Sequence, residues 1–446
     1  MRQPVRARIR IPIAVRLVLG LLLLMAIGSG LLMIPGMTTR PLRPIDALFT
    51  AVSALSVTGL STIVPSQDLT INGQVVLLVL IQIGGVGFMA TAAVTLRLLG
   101  QRLSLTSRLA LSDSLGLPTP EMIIQLTGRV FIAVLVIEAV GAAALYVHWR
   151  PVLGQQALFY AIFHAVSSFC NAGFDLFLGL PAYPSGLPTD GPTLVVIGTL
   201  VLLGGFGIPV LSDLLTWRPG RRLMLHTRLT LYVIVSLLLV GWLGIWVAER
   251  QPGAVLAQLP LDRQLSLSLF QSVSIRTAGF GGIQPFEALS PASQLLMIIL
   301  MFIGCAPASM GGGITTGTFA VLILALIAFA RRFPTVQFGG RSLPFELVRK
   351  AAAILMVSLI VTLTATWLLL LTHPLSLSEA LFEVVSAFAT CGLSLAVTAR
   401  LNPFGLIVIA LVMFWGRLGA LTLVLALAQP QPASRLSYPQ DSVLIG

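Results

Sequence analysis

Eight stretches of this chain stay apolar for about as long as a helix needs to cross a lipid bilayer, and that feature leaves few folds open. A hydrocarbon core of about 30 Å asks for about 20 apolar residues per helix. The stretches lie at roughly 11–34, 74–98, 124–148, 193–215, 229–248, 293–328, 350–372 and 404–427. Composition agrees, because only 9% of the residues are charged, against about 25% in a soluble domain. Such a chain could not cover a water-facing surface, and long disordered tails would need more polarity than it has. An all-α integral membrane protein is expected. The first stretch follows Arg2, Arg6, Arg8 and Arg10 as a signal peptide would. Its apolar run is too long for an h-region and no A-x-A site follows, so it is read as a mature helix.

The net charge of +12 would suggest nucleic acid if the charges were spread over a surface. They sit instead beside the apolar runs, where basic residues set topology. Of 27 basic residues, five lie in the N-terminal segment, four in 97–129, four in 216–228, five in 331–350 and one in the tail. The opposite side holds only Arg40, Arg43, Arg150, Arg250, Arg263 and Arg400, with Arg276 and Arg417 at membrane depth. The positive-inside rule then gives a multi-pass protein of the cell inner (plasma) membrane with both termini cytoplasmic. The cysteines Cys170, Cys305 and Cys391 have no metal-ligand spacing, and leave the redox compartment open.

Between the spans, residues 45–57, 157–170, 264–276 and 377–390 are too apolar for ordinary loops and too short to cross. Each ends in a small-residue cluster: Val57-Thr58-Gly59, Asn171-Ala172-Gly173, Thr277-Ala278-Gly279 and Thr390-Cys391-Gly392. The glycines recur after 114, 106 and 113 residues, the spacing that internal duplication leaves. Ten residues before the glycine stand Phe49, Phe163 and Phe382, with Leu269 in the third copy. Six before it stand Ser53, Ser167 and Ser386, with Val273 in the third. The chain therefore reads as four span–pore-helix–span repeats around one central pore, eight spans plus four re-entrant pore helices. The repeats run 1–108, 109–218, 219–335 and 336–428, with a cytoplasmic tail at 429–446.

Irregular backbone survives at membrane depth only where it lines water or is buried in protein. Four glycine turns on one axis would stack rings of carbonyls able to replace the hydration shell of a monovalent cation. The negative ends of four half-helices would point the same way. The sixth stretch breaks at 304–317, where Gly311, Gly312 and Gly313 accompany Ser309, Thr315, Thr316 and Thr318. Those polar groups have no reason to face lipid, which favours a flexible obstruction below the filter over a simple kink. Arg417, between Gly416 and Gly419, costs several kcal/mol at that depth unless partnered, so a gate role is expected of it. Arg276 reads as a brace behind the filter, with Glu383 a candidate partner. Asp175 is either a collector of cations at the outer mouth or a solvated loop acid. Glu138 and His164 read as hydrogen-bonded structural groups. Glycine pairs at 84–85 and 204–205 lie at one level with Gly304 and Gly416, and close helix packing is the reading for them.

This arrangement resembles the Trk/Ktr/HKT superfamily of potassium transporters. The resemblance rests on Ser56-Val57-Thr58-Gly59-Leu60, Asn171-Ala172-Gly173-Phe174, Arg276-Thr277-Ala278-Gly279-Phe280, Ala389-Thr390-Cys391-Gly392-Leu393-Ser394 and Gly416-Arg417-Leu418-Gly419. Eight spans without an N-terminal extension are more similar to the Ktr-type subunit than to the longer Trk type. The resemblance implies K+ held at filter carbonyls, a gate loop, an Arg against that gate, a homodimer and a cytoplasmic nucleotide-binding regulatory ring. It leaves sodium activation open. All four filter glycines favour potassium over plant-type sodium preference. Two departures stand out: Thr315 replaces a Lys, and Cys391 a commoner Val. No cofactor and no nucleic acid partner is expected. The alternatives are an ion-coupled secondary transporter of a small solute and a less selective Na+/K+ transporter. An enzyme is not expected, since the chain has no H-E-x-x-H, no Walker A loop and only four histidines.

Overall fold

A computed structural model of the chain describes residues 13–87, 120–180, 183 and 186–419. In chain order its helices are α1 (Ile13–Leu32), α2 (Pro44–Ser56), α3 (Ile71–Gln82), α4 (Pro120–Leu153), α5 (Ala157–Phe169), α6 (Gly191–Gly205) and α7 (Ile208–Leu215). They continue as α8 (Leu225–Glu249), α9 (Leu261–Ser274), α10 (Pro291–Phe302), α11 (Thr316–Ala330), α12 (Phe345–Thr372), α13 (Leu377–Phe388) and α14 (Pro403–Leu418). A small hairpin, β1 (Gln337–Phe338) against β2 (Arg341–Ser342), joins α11 to α12. The sequence boundary at 108/109 and the tail 429–446 lie outside the described residues.

Helix length sorts with surroundings. The apolar parts of α4, α8 and α12 are each long enough to cross a bilayer unaided. They leave one apolar face uncovered, on α8 Tyr232, Val235, Leu239 and Leu243, as a lipid-facing surface requires. This is an integral membrane protein. By contrast, α2, α5, α9 and α13 span 12 to 14 residues and bury half or more of theirs. Their starts are signalled in the sequence. Pro44 opens α2 with Asp46 in its first turn, bound by Arg43 at 2.7 Å. Ser376 and Glu379 form a reciprocal cap on α13.

The helices that follow the short ones are all interrupted. α3 runs into a π turn at Ile83–Gly87. α10 and α11 are separated by a loop at 303–315, and Gly419 ends α14 with φ +80°. The fourth apolar stretch, expected as one span over 193–215, is two helices bent by 105° at Phe206–Gly207. Gly207 takes φ +78° there, a conformation open to glycine at low cost. The glycine pairs do both things at once, packing closely and breaking the helix. A Cβ on Gly84 would fall 2.4 Å from Leu55 O, on Gly204 1.8 Å from Phe169 O, and on Gly416 2.0 Å from Phe388 O. In lipid, helices associate by such close backbone contact rather than by apolar burial. The C-terminal carbonyls of α2, α5 and α13 are thereby seated on the glycines of their neighbours.

Candidate functional site

Each short helix unwinds into a turn with two left-handed residues. The first is not glycine: Val57 (φ 58°), Asn171 (58°), Thr277 (79°) and Thr390 (50°). A side chain at such φ costs about 1–2 kcal/mol, and three of the four are β-branched. Hydrogen bonds back to the helix end offset it. Thr58 N–H donates to Ser53 O (2.8 Å), Ala172 to Ser167 O (2.7 Å), Ala278 to Ser274 O (2.9 Å) and Cys391 to Ser386 O (2.8 Å). The second left-handed residue is the glycine, at φ 91°, 67°, 76° and 94° for Gly59, Gly173, Gly279 and Gly392.

The four turns close into a ring in chain order. A Cβ on Gly59 would lie 2.4 Å from Ala172 O, on Gly173 2.6 Å from Ala278 O, on Gly279 2.3 Å from Cys391 O, and on Gly392 2.0 Å from Thr58 O. Each glycine thus abuts the carbonyl that precedes the next glycine, and the fourth abuts the first. No other residue type could occupy these positions without pushing the ring apart. The glycines are partly exposed, whereas the residue before each is buried. A cavity of about 520 Å³ opens on the ring, lined by Gly279, Gly392, Gly281, Gln284, Glu287 and Ser394. Cys391 points its thiol away from the ring, 3.5 Å from Ile275 O at the end of α9.

The third copy is one residue short. Ser274, five residues before its glycine, does what Ser167, six before its own, does in the second copy, while Ser53 and Ser386 accept from the N–H of Gly59 and Gly392. Ser274 Oγ donates to Phe280 O (2.6 Å), as Ser167 Oγ does to Phe174 O (2.9 Å). Phe270 accordingly takes the buried place of Phe49, Phe163 and Phe382. Leu269 and Val273 were therefore the wrong equivalents. Allowing one deletion in the alignment would have found the right ones.

On the other side of the ring lies the loop between α10 and α11. Gly312 N–H donates to Thr390 Oγ1 (2.8 Å), and a Cβ on Gly311 would collide with Thr277 Oγ1 at 2.1 Å. The tip of the loop therefore rests on the left-handed threonines of the third and fourth turns. Ala306 N–H donates to Gly205 O (3.1 Å), Met310 N–H to Gly204 O (3.3 Å), and Ile208 N–H to Ala308 O (3.0 Å), which ties the loop to the bend between α6 and α7. Gly313, at φ +78°, packs on Gly304, whose N–H donates to Ile314 O (2.8 Å). Thr315 Oγ1 accepts from Thr318 N–H (3.3 Å) and caps α11, while Thr316 is fully buried.

Arg417 joins this loop to the first copy. Its guanidinium donates to Met310 O, to Gly84 O and to Gly85 O, the last at 3.0 Å. Met310 O lies in the irregular loop, and Gly84 and Gly85 lie in the π turn that follows α3. Arg276 is fully enclosed and donates to Gly304 O (3.1 Å), with Cys305 Sγ 3.1 Å from its own carbonyl. It braces the root of the loop. The expected pairing with Glu383 does not occur, since Glu383 accepts from Ser394 Oγ (2.6 Å) and Thr398 Oγ1 instead.

The TrkH family model, described as a cation transport protein, matches residues 21–437. The chain belongs to the TrkH family. Among curated relatives, it is 39% identical to the Ktr system potassium uptake protein B of Vibrio alginolyticus, covering 96% of this chain and 93% of that one. Identity is 35% to the protein of the same name from Bacillus subtilis, with 96% of each covered. The potassium/sodium uptake protein NtpJ of Enterococcus hirae is 32% identical, again over 96% of each. The crystal structure of the potassium transporter TrkH from Vibrio parahaemolyticus shares the fold at a TM-score of 0.73 and 19% identity, over 96% of this chain and 87% of that one. A TrkH-family chain is a cation transporter and not an enzyme.

Two further groups of this TrkH-family chain find their places. Glu138 accepts from Gln82 Nε2 (3.1 Å) and lies 3.8 Å from Cys170 Sγ, a hydrogen-bonded packing role. Asp175 is not a freely solvated loop acid but is held at the exit of the second turn. Its Oδ1 lies 3.0 Å from His164 Nε2 and accepts from Phe177 N–H at 2.7 Å.

Proposed function

We propose that this chain is the potassium-conducting subunit of an uptake system, passing K+ down its electrochemical gradient through the ring of glycine turns. The observation that carries the reading is the closure of four turns, each built by the same hydrogen bond, into one ring in chain order. The residues that would form the filter are Val57, Thr58, Gly59, Asn171, Ala172, Gly173, Thr277, Ala278, Gly279, Thr390, Cys391 and Gly392. Their carbonyls would substitute for water around K+. Names of relatives at 39% and 35% identity support potassium as the ion. The potassium/sodium name of a third keeps sodium as the competitor to test. A membrane potential supplies about 2.3 kcal/mol per charge per 100 mV, so uptake needs no chemistry in this chain.

The loop at 304–315 would be the gate, with Gly311, Gly312 and Gly313 as its flexible tip, Thr315 and Thr316 at its helical hinge and Arg417 as its latch. We read the chain as four span–pore-helix–span repeats over 1–108, 109–218, 219–335 and 336–428, eight spans in an inner membrane with both termini cytoplasmic. A homodimer and a cytoplasmic nucleotide-binding ring that acts on the gate complete the proposal. The relatives' designation as one part of a Ktr system supports a separate regulatory subunit.

Rubidium tracer flux into proteoliposomes tests the filter, comparing wild type with Gly279→Ser under potassium or sodium competition. A serine Cβ would sit 2.3 Å from Cys391 O. Flux blocked by potassium, spared by sodium and lost or made unselective in the variant is expected. An unchanged competition pattern in the variant would overturn the proposal.

A further inference from the structure

One position on each short helix faces the chain just beyond its turn, and three of the four copies use it to hold that chain in place. The position lies nine residues before the glycine, or eight in the shortened third copy: Thr50, His164, Gln271 and Glu383. All four are fully buried. In the second copy Leu176 N–H donates to His164 Nε2 (3.3 Å), which also meets Asp175 Oδ1 at 3.0 Å. In the third, Gly282 N–H donates to Gln271 Oε1 (2.9 Å). In the fourth, Glu383 accepts from Ser394 Oγ (2.6 Å) and from Thr398 Oγ1. The first copy has no such tie, for Thr50 Oγ1 meets no partner among the described residues.

The anchored residues Leu176, Gly282 and Ser394 stand two or three places past Gly173, Gly279 and Gly392, and Thr398 six past the last. A bond there fixes the direction in which the chain leaves the turn, and with it the last carbonyls of the ring. Three chemically different side chains at one helical register converge on one job. Glu383 carries the most, because its two oxygens hold both Ser394 and Thr398, and Ser394 Oγ in turn accepts from Val397 N–H at 3.1 Å. Ser394 also lines the outer cavity.

We propose that His164, Gln271 and Glu383 are positioning residues for ion selectivity, with Glu383 the strongest of the three, and that the first turn is held without an equivalent. They touch no ion. They act through the exit segments, keeping the carbonyl ring at one diameter. This rests on the filter reading above. It predicts an unequal filter, in which losing the fourth anchor relaxes discrimination and altering Thr50 does not.

The test is a competition assay on purified chain in proteoliposomes, reading the ratio of potassium to sodium needed to halve rubidium flux. Glu383→Ala removes the acceptor of the buried Thr398 hydroxyl and the part-buried Ser394 hydroxyl and is expected to reduce discrimination about 10-fold or more. Glu383→Gln should stay within about 2-fold of wild type, because hydroxyls both donate and accept and can pair with an amide. Gln271→Ala should fall between them, and Thr50→Val should match wild type. A merely structural role would lower the yield of folded protein without moving the ratio. Gly392→Ser is measured alongside. If that variant keeps wild-type discrimination, the filter reading itself fails. If it loses discrimination while Glu383→Ala keeps it, only the anchoring proposal fails. Equal loss in Glu383→Gln and Glu383→Ala would also overturn it, by pointing to charge rather than position.

Discussion

Replacing Arg417 by methionine gives the sharpest test of the gate. Methionine keeps an unbranched apolar stem but offers no donor to Met310 O, Gly84 O or Gly85 O. The bonds to Gly84 and Gly85 join α14 to the π turn after α3, while the bond to Met310 O joins α14 to the loop. On the gate proposal, the bond to Met310 O is the one that opening would break. A hydrogen bond from a charged donor contributes about 1.5–3 kcal/mol, and each 1.4 kcal/mol is tenfold in an equilibrium constant. The open population should therefore rise by about 10- to 100-fold. Lysine, with one compact charged head in place of a fork, keeps part of that interaction and should fall between. The assay is rubidium flux without any regulatory subunit, expressed per mole of protein that elutes as a single species. Losing the ties to α3 will reduce yield, so normalisation matters. Flux per folded molecule equal to or below wild type in Arg417→Met would refute the latch.

Two more outcomes are expected. Glu379, in the first turn of α13, is held down to about 2 by the Ser376 N–H, then by the Ser376 hydroxyl and Arg400. A depressed carboxylate contributes stability above its unfolded value of about 4.3 and loses it as pH falls through its folded value. The melting-temperature gap between wild type and Glu379→Gln should be constant from about pH 5 to 8 and close towards about pH 2. Thr315→Ala should cost the first turn of α11 about 1 kcal/mol and Thr315→Ser almost nothing, by thermal unfolding in detergent.

Much of the site was legible because backbone geometry imposes residue types. Four glycines at a near-constant period mark four places where a Cβ does not fit, and each does abut the next carbonyl. The rule that deep arginines need partners led to carbonyls at Arg417. It misled at Arg276, where attention to opposite charge suggested Glu383. The loop offered Arg276 an unpaired carbonyl at Gly304, and hydroxyls from the exit segment filled Glu383. Gly204-Gly205-Phe206-Gly207 pointed to either a break or close packing, and the 105° bend there was not fixed by the pattern, since composition reports burial and not axis direction. Val57, Thr277 and Thr390 carried no sign of left-handed backbone, whereas Asn171 is of a residue type that tolerates it.

The frame is fourfold but the loop beneath it is not, and the difference sets how the loop can move. Backbone bonds to Gly204, Gly205 and Ile208 fix residues 306–310 to the bend between α6 and α7, and Arg276 holds Gly304. Beyond Met310, among the described residues the tip makes one hydrogen bond to the ring, from Gly312 N–H to Thr390 Oγ1. It also has three successive glycines, which can redistribute φ and ψ without side-chain clashes. Displacing the whole loop would break five or more hydrogen bonds, at about 0.5–1.5 kcal/mol each. Swinging the tip about Met310 breaks two, those to Thr390 and Arg417. The cheaper motion is the swing, and it clears the third and fourth turns first. If the loop is the gate proposed above, a partner would need to reach only α11, whose first turn begins at the end of the loop, and need not disturb the ring.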